Sequence, residues 1–298
     1  MIISFIIPTF NRADLLERLL DSIGNLRVPH GVEVRTVVVN DGSTDRTAQL
    51  LRQCPQRPSV VNGDGNWWWT RCINEGMRHA AAQGSSHFIW MNDDNELPDD
   101  YLEVLVRDYR SLPPDSILGS ASLSLAHPRR IDACGYRRYN PIANKLYPHF
   151  PIGSTPGPDF HGVRPTWSLS GRGTLVPKNV LDRVGYLDSR LLQYGSDDDY
   201  ILSARLKGVF SFISLDAQVL NRSDLTSSER NISRTTLQSF IKSLFLRHSS
   251  KSLSKQWIFY SKHGVKWLTP IYVLYIGTSD TASFILKRIR GALLGFSH

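Results

Sequence analysis

The chain has 298 residues, of which 41% are hydrophobic and 21% charged, with a formal net charge of +8. This is globular composition and excludes disordered and fibrous classes. No run of about 18 apolar residues occurs, which excludes a plain membrane-spanning helix.

The opening "MIISFIIPTF" is apolar but short, lacks a basic leader and is cut by Pro8. It reads as a strand over 2–7 buried on both faces, not as a signal peptide. Asn11 can cap a helix to about Ile23, with Leu15, Leu16, Leu19, Leu20 and Ile23 on one face. "VEVRTVVV" (32–39) is the next strand, and "NDGSTD" (40–45) a turn whose Ser43 or Thr44 can cap a helix to about Cys54. "PSVV" (58–61) is a third, short strand. "NWWWTR" (66–71) then leads into a helix from about Thr70 to Gln83. "HFIWM" (87–91) is a strand broken by "NDDNELP", and Pro98 suits the first turn of a helix to about Tyr109.

Strand alternating with helix predicts an α/β fold, a mainly parallel sheet covered by helices. In such sheets the active crevice lies at the carboxyl ends of the strands. The polar clusters 9–12, 40–45, 62–66 and 92–95 all follow strands, so they should gather on one edge.

The second half differs. Residues 139–165 are rich in Pro and Gly and read as a long functional or mobile loop. "LSGRGTLVP" is strand-like, "KNVLDRVG" a short helix, and "QYGSDDDYILSARLKG" an acidic loop entering a helix. His161 has the reach for metal or acceptor and the basic "HPRR" and "YRR" segments (127–138) suit a phosphorylated acceptor, but surface placement is the default for each. Cys54, Cys72 and Cys134 are odd in number and lack metal-type spacing, which points to a reducing, cytoplasmic setting. The sequons at 221 and 231 are then chance.

Charge is unevenly spread. Residues 237–298 hold nine Lys/Arg and one acid, Asp280, while the rest is balanced at 26 basic and 26 acidic residues. This places a boundary near 235, between a body (1–235) and a basic helical tail (236–298). Leu237, Phe240, Ile241, Leu244 and Phe245 keep helical spacing, and "FILKRIRGALLGF" is again amphipathic and basic. "WLTPIYVLYIG" (267–277) is too short to span a bilayer. Such segments lie on an anionic membrane surface, or pack on the body or on a second subunit of a homo-oligomer.

"WMNDDNE" puts Asp93 and Asp94 directly after a buried strand. Paired carboxylates there suit a Mg²⁺ or Mn²⁺ that also holds a diphosphate, since hard cations prefer oxygen and Mg²⁺ often takes one or two protein carboxylates. An isolated pair of acids would more often be a solvated loop. This pair is not isolated: "FIIPTFNR", "VVVNDGSTD", "INEGMRHA" and "MNDDNELPDDYL" occur in order. Together they resemble the nucleotide-sugar-dependent glycosyltransferases of family 2, of GT-A fold. "SGRGTLVPKNVLDRVGYLD" and "YGSDDDYILSARLKG" resemble that family's second half, so the resemblance covers about 2–215. "GNWWWT" is similar to a bacterial subgroup near rhamnosyl- and related surface-polysaccharide transferases.

The resemblance implies roles. Pro8, Thr9, Asn11 and Arg12 line the nucleotide pocket, Asp41 meets base or ribose with Ser43 nearby, Asp94 binds the metal, and Asp93 faces ribose or metal. Asp197 is the catalytic carboxylate, and Asp199 and Arg205 belong to its motif. Arg71 departs from the small residue expected there, and either contacts phosphate or lies on the surface. The implied enzyme is a metal-dependent, inverting hexosyltransferase. It uses a dTDP- or UDP-linked sugar, such as rhamnose or another hexose, and a glycan or lipid-linked acceptor.

The chemistry can be argued independently. A divalent cation stabilises the departing diphosphate, and a carboxylate takes the acceptor proton. Asp197, Asp198 and Asp199 crowd a helix start, where the dipole favours their ionised forms and mutual repulsion opposes losing every proton. If 66–69 is extended, Trp67 and Trp69 point one way and Trp68 the other. At least one indole is then core and at least one borders the donor, with Asn66 beside them; Asn74 either contacts the donor, supports the loop or acts as a cap. Two other classes remain: a sugar nucleotidyltransferase, for which a Gly-rich phosphate loop is missing near the N-terminus, and a nucleic-acid-binding protein using the basic tail.

Overall fold

The computed structural model describes residues 1–222 and 236–293. The expected boundary at 235, the sequon at 231 and the last residues of the final basic segment lie outside them.

The elements run β1 (Ile2–Thr9), α1 (Ala13–Gly24), β2 (Glu33–Asn40), α2 (Thr47–Gln53), β3 (Ser59–Asn62), α3 (Trp68–Ala82), β4 (His87–Trp90), β5 (Asn95–Glu96) and α4 (Tyr101–Arg110). There follow β6 (Ile117–Ser124), β7 (Ile131–Ala133), β8 (Tyr136–Asn140), β9 (Lys145–Pro148), β10 (Val163–Pro165), β11 (Thr174–Pro177), α5 (Lys178–Val184), α6 (Ser196–Leu206) and β12 (Ser211–Asn221). The tail adds α7 (Leu237–Phe245), α8 (Leu253–His263), a 3₁₀ turn (Lys266–Leu268) and α9 (Thr269–Leu293).

One mixed sheet carries the order β10-β12-β6-β11-β4-β1-β2-β3, with β5 on β12 and β7 on β6. β1 pairs in parallel with β2 and β4, and β2 with β3. β11 runs antiparallel between β4 and β6. The continuous apolar run of β1 is explained by burial on both sides. Successive side chains alternate faces, so Ile3, Phe5 and Ile7 meet Leu16, Leu19 and Leu20 of α1, while Ile6 meets Ile73 and Met77 of α3. Burying such a side chain contributes roughly 1.5–3 kcal/mol.

The structure adds strands that the sequence reading lacked and corrects others of its expectations. β6, "ILGSASLS", is buried along its whole length, yet its Ser, Gly and Ala residues gave no β-branched signal. Small residues are required there because Tyr101 of α4 bonds Ser120 at 2.9 Å and a Cβ on Gly119 would overlap Leu169. β12 is broken by an irregularity between Ser214 and Gln218, where Ser214 donates to the Asp108 carboxylate at 2.6 Å. The 139–165 loop contains the β8–β9 hairpin and β10, and Asn140 Oδ1 accepts the Ile142 and Ala143 N–H groups in the hairpin turn.

Asn11 does not cap α1. With φ +52° its side chain turns to the facing loop and accepts from the N–H groups of Thr44 (2.7 Å) and Asp45 (3.3 Å). Asp45 stands in for both expected caps, accepting from Ala13 N–H at the start of α1 and from Thr47 N–H at the start of α2, each at 3.0 Å. Burial opposes its ionisation, but these hydrogen bonds outweigh that and hold its carboxyl below the ordinary range.

The tail is joined to the body. Phe259 of α8 shares an apolar cluster with Tyr139 and Leu202, and the Tyr260 hydroxyl donates to the Ile142 carbonyl at 2.9 Å. The segments 267–277 and 284–296, read separately in the sequence, fall largely on one helix, α9.

Candidate active site

The strand register aligns Thr9, Asn40 and Asn62 at the ends of β1, β2 and β3. Met91 N–H donates to the Ile6 carbonyl at 3.0 Å, so the residues after β4 reach the same edge. Asp93 and Asp94 are each only 5% exposed. Thr9 Oγ1 donates to Asp93 Oδ2 at 2.9 Å, and Arg12 Nη1 donates to Asp93 Oδ1 at 3.1 Å and lies 3.5 Å from Asp94 Oδ2. Burial pushes the Asp93 carboxyl up to about 6; Arg12 opposes this and the Asp94 charge adds to it. Asp94 Oδ1 is buried with no hydrogen-bond partner among the described residues. Such an orphan carboxylate oxygen is costly without a partner.

Asp41 organises the tryptophans. Its carboxylate accepts from the N–H groups of Gly65 (2.9 Å), Trp67 (2.9 Å) and Trp68 (3.1 Å). Both oxygens therefore hold the 65–68 turn. This turn corrects the extended reading of 66–69: Trp67 has helical φ and ψ, and Trp68 begins α3 with φ +56°. The three indoles consequently diverge. Trp67 packs on the core with its indole N–H unpartnered among the described residues, and Arg71 stacks on it with 4.4 Å between guanidinium and ring centroid. Trp68 stacks on His248 of the tail, with ring centroids 4.1 Å apart. Trp69 donates to Asn92 Oδ1 at 2.8 Å and meets Trp90 edge-on.

The acids of α6 also diverge. Asp197 is half-buried and accepts from Gly171 N–H and Asp198 N–H, each at 3.0 Å. Asp198 accepts from the Ser168 hydroxyl. Burial raises both carboxyls, and the Asp197 charge raises Asp198 further. Asp199 is buried and held by the tail, at 2.6 Å from Lys262 Nζ and 2.8 Å from His263 Nε2. Contacts link the two acid groups: Trp69 bonds the residue before Asp93, its ring covers Gly171, and Gly171 bonds Asp197.

The remaining sequence-based candidates are placed as follows. Pro8 lies in β1 one residue before Thr9. Ser43 accepts from Asn11 N–H at 3.0 Å, and so pins the loop. Asn66 is exposed. Asn74 spends its amide on Leu187, donating to the carbonyl at 2.9 Å and accepting from the N–H at 3.0 Å, which is the loop-supporting alternative. Arg205 stacks on Trp167 at 3.8 Å. Sequence reasoning missed Ser168, Gly171, Lys262 and His263. The tail pair had no local signal, because it lies more than 60 residues from Asp199.

The mixed, mainly parallel sheet with flanking helices matches the GT-A fold of solved glycosyltransferases. A mannosyltransferase from Pyrobaculum calidifontis, in complex with GDP-Man and Mn²⁺, aligns over 99% of this chain and 76% of its own at TM-score 0.58 and 15% identity. TarS 1–349 of S. aureus, in complex with UDP, aligns over 100% and 93% at TM-score 0.56 and 13% identity. At these identities the likeness carries the fold. Residues 4–150 match the family described as Glycosyl transferase family 2, so the chain carries a family 2 glycosyltransferase domain.

Among curated proteins, 4,4'-diaponeurosporenoate glycosyltransferase of Staphylococcus aureus is 29% identical over 152 residues, 48% of this chain and 36% of the relative. Poly-beta-1,6-N-acetyl-D-glucosamine synthase of Staphylococcus epidermidis is 24% identical over 113 residues, 37% of this chain and 26% of the relative. The matches thus span only about a quarter to a third of these relatives.

The residues present fit a divalent cation. Asp94 Oδ1 is an unpartnered hard donor beside a second carboxylate, already facing one cation, Arg12. Among the described residues no group of three or more His, Cys, Asp or Glu side chains could hold a metal, so the pair would leave most of the coordination shell to water and diphosphate.

Proposed function

We propose that this crevice moves a sugar from a nucleoside-diphosphate sugar to a hydroxyl of a glycan or lipid-linked acceptor in bacterial surface polysaccharide synthesis. The observation that carries this reading is the orphaned Asp94 oxygen, buried at the end of β4 and tied through Trp69 and Gly171 to Asp197. Asp94 holds Mg²⁺ or Mn²⁺ with Asp93 beside it; the bound ion supplies Lewis-acid stabilisation of the diphosphate. Arg12 adds positive charge on the same side.

Asp197 takes the proton of the acceptor hydroxyl. Its carboxyl is raised by burial, which brings its basicity closer to that useful near neutral pH. The hydroxyl oxygen bonds the anomeric carbon as the bond to diphosphate breaks, and the leaving group departs with that electron pair. A single displacement inverts the centre and needs no covalent nucleophile. Trp67, with its unpartnered indole N–H, borders the donor. The donor class we favour is dTDP- or UDP-linked rhamnose or another hexose.

The test is thermal unfolding with UDP, dTDP, GDP and CDP, each with and without Mn²⁺, because a ligand of the native state raises its stability. A metal-dependent rise with one nucleotide, lost in Asp94→Ala, is expected. No rise with any of the four in folded protein overturns the reading.

A further inference from the structure

The tail helix α9 has two unlike faces. Its inner face packs: Tyr272 stacks on Tyr260 with ring centroids 4.0 Å apart, and Phe284 on Phe240 at 4.4 Å. Its outer face does not. Trp267, on the turn before it, is 75% exposed, and Ile271, Leu274, Tyr275 and Leu286 are 62%, 69%, 62% and 58% exposed. Trp267, Ile271, Leu274 and Tyr275 group at the start of α9, and Leu286 and Ile289 continue the same face beyond Thr278, Ser279 and Ala282, so the outer stripe is two apolar patches on one side of the helix. Large apolar side chains grouped and exposed in this way exceed the scattered apolar residues of an ordinary surface.

The charges around it have one sign. Lys266 and Arg288, which flank the stripe, are exposed. Asp280, the single acid of 237–298, is paired with Lys251 at 3.3 Å.

We propose that the outer stripe of α9 seats the protein on an anionic lipid surface, with the helix lying in the plane of the headgroups. Apolar side chains enter the headgroup boundary while flanking Lys and Arg meet lipid phosphates. Charge decides between this occupant and a second copy of the chain. Two copies that set their exposed Lys266 and Arg288 face to face repel each other, whereas an anionic surface attracts each of them. Spanning is disfavoured, because no helix among the described residues is long and apolar enough to cross a membrane. The inference does not depend on the proposed transfer reaction.

The test is co-sedimentation of the full chain with phosphatidylcholine vesicles, with and without phosphatidylglycerol. The wild type is expected to sediment with the anionic vesicles, less so as salt rises. Leu274→Glu with Leu286→Glu should weaken binding about tenfold or more. Lys266→Glu with Arg288→Glu should remove the preference for phosphatidylglycerol. Trp267→Ser, on the 3₁₀ turn, serves as the apolar variant if the glutamate pair does not fold. Failure of the wild type to sediment overturns the proposal, as does wild-type binding in all variants. Sedimentation velocity adds a third arm: a wild-type dimer broken by the glutamate pair, without vesicle binding, assigns the stripe to a second copy and also overturns it.

Discussion

The indole N–H of Trp69 donates to Asn92 Oδ1 at 2.8 Å, so the tryptophan run is bonded to the residue preceding Asp93. The same ring covers Gly171, whose N–H holds Asp197. Trp69 therefore sets the spacing between the acid pair after β4 and the acid at the start of α6. Trp69→Phe loses both the bond and the six-membered part of the indole that covers Gly171. It should cost about 1–3 kcal/mol of stability and lower turnover by about tenfold or more, since small misplacements of catalytic groups are costly. Chemical denaturation and initial rates on the same preparation check both.

Gly171→Ala places a Cβ inside the Trp69 ring. The ring or the 168–172 segment must move, at a cost of about 1–3 kcal/mol, the usual range for overpacking. The expected result is a lower unfolding midpoint together with a larger activity loss than that of Trp69→Phe.

Asp197 and Asp94 should separate binding from chemistry. Asp197→Asn is expected to reduce turnover by roughly 10²–10⁴-fold, the range for a lost general base, while Mn²⁺-dependent stabilisation by nucleotide persists. Asp94→Ala should remove that stabilisation as well. Calorimetry with Mn²⁺ and nucleotide, run beside turnover, reads the two effects apart.

Asp93 predicts a pH dependence. Its carboxyl is raised to about 6 in the folded protein, whereas an unfolded Asp ionises near 4. Between these values the native state binds the extra proton, so this group's contribution to stability falls as pH rises from about 4 to about 6 and is constant beyond. Asp93→Asn, which cannot ionise, should gain on the wild type across that window and then level off. Mn²⁺ binding needs the ionised form and should strengthen over the same range. Arg12→Ala, by removing the opposing charge, should move the midpoint upward. Unfolding curves at a series of pH values read all three.

His263 ties the tail to α6 through a bond of 2.8 Å to Asp199. His263→Ala leaves a buried carboxylate one donor short and should cost about 1–3 kcal/mol; His263→Gln, which keeps a donor, should recover part of it. A denaturant series on both variants measures this, and equal midpoints for wild type and His263→Ala would remove the role.

Much of the fold was legible because its signals are local. The β-branched and apolar runs of β1, β2 and β4 need burial on both faces, and strands alternating with helices admit few topologies other than a parallel sheet. From that alone, the clusters at 9–12, 40–45, 62–66 and 92–95 had to share an edge, and the ordered motifs pointed to family 2. β6 and β12 escaped because their small and polar residues answer to neighbours such as Tyr101, Leu169 and Asp108, which lie far off in sequence. Asn11 and Asp41 were legible as polar residues at an edge, and Asn74 as a loop support, donor contact or cap, but their partners were not. A short polar side chain bonds whatever backbone the fold brings within about 3 Å, and here that is the 44–45 loop, the tryptophan turn and Leu187. The basic, amphipathic character of the tail was set by residue order. That its inner face would pack on the body, bring Lys262 and His263 to Asp199 and leave one apolar stripe outward was decided by tertiary contact, since periodicity defines a face and only packing chooses what covers it.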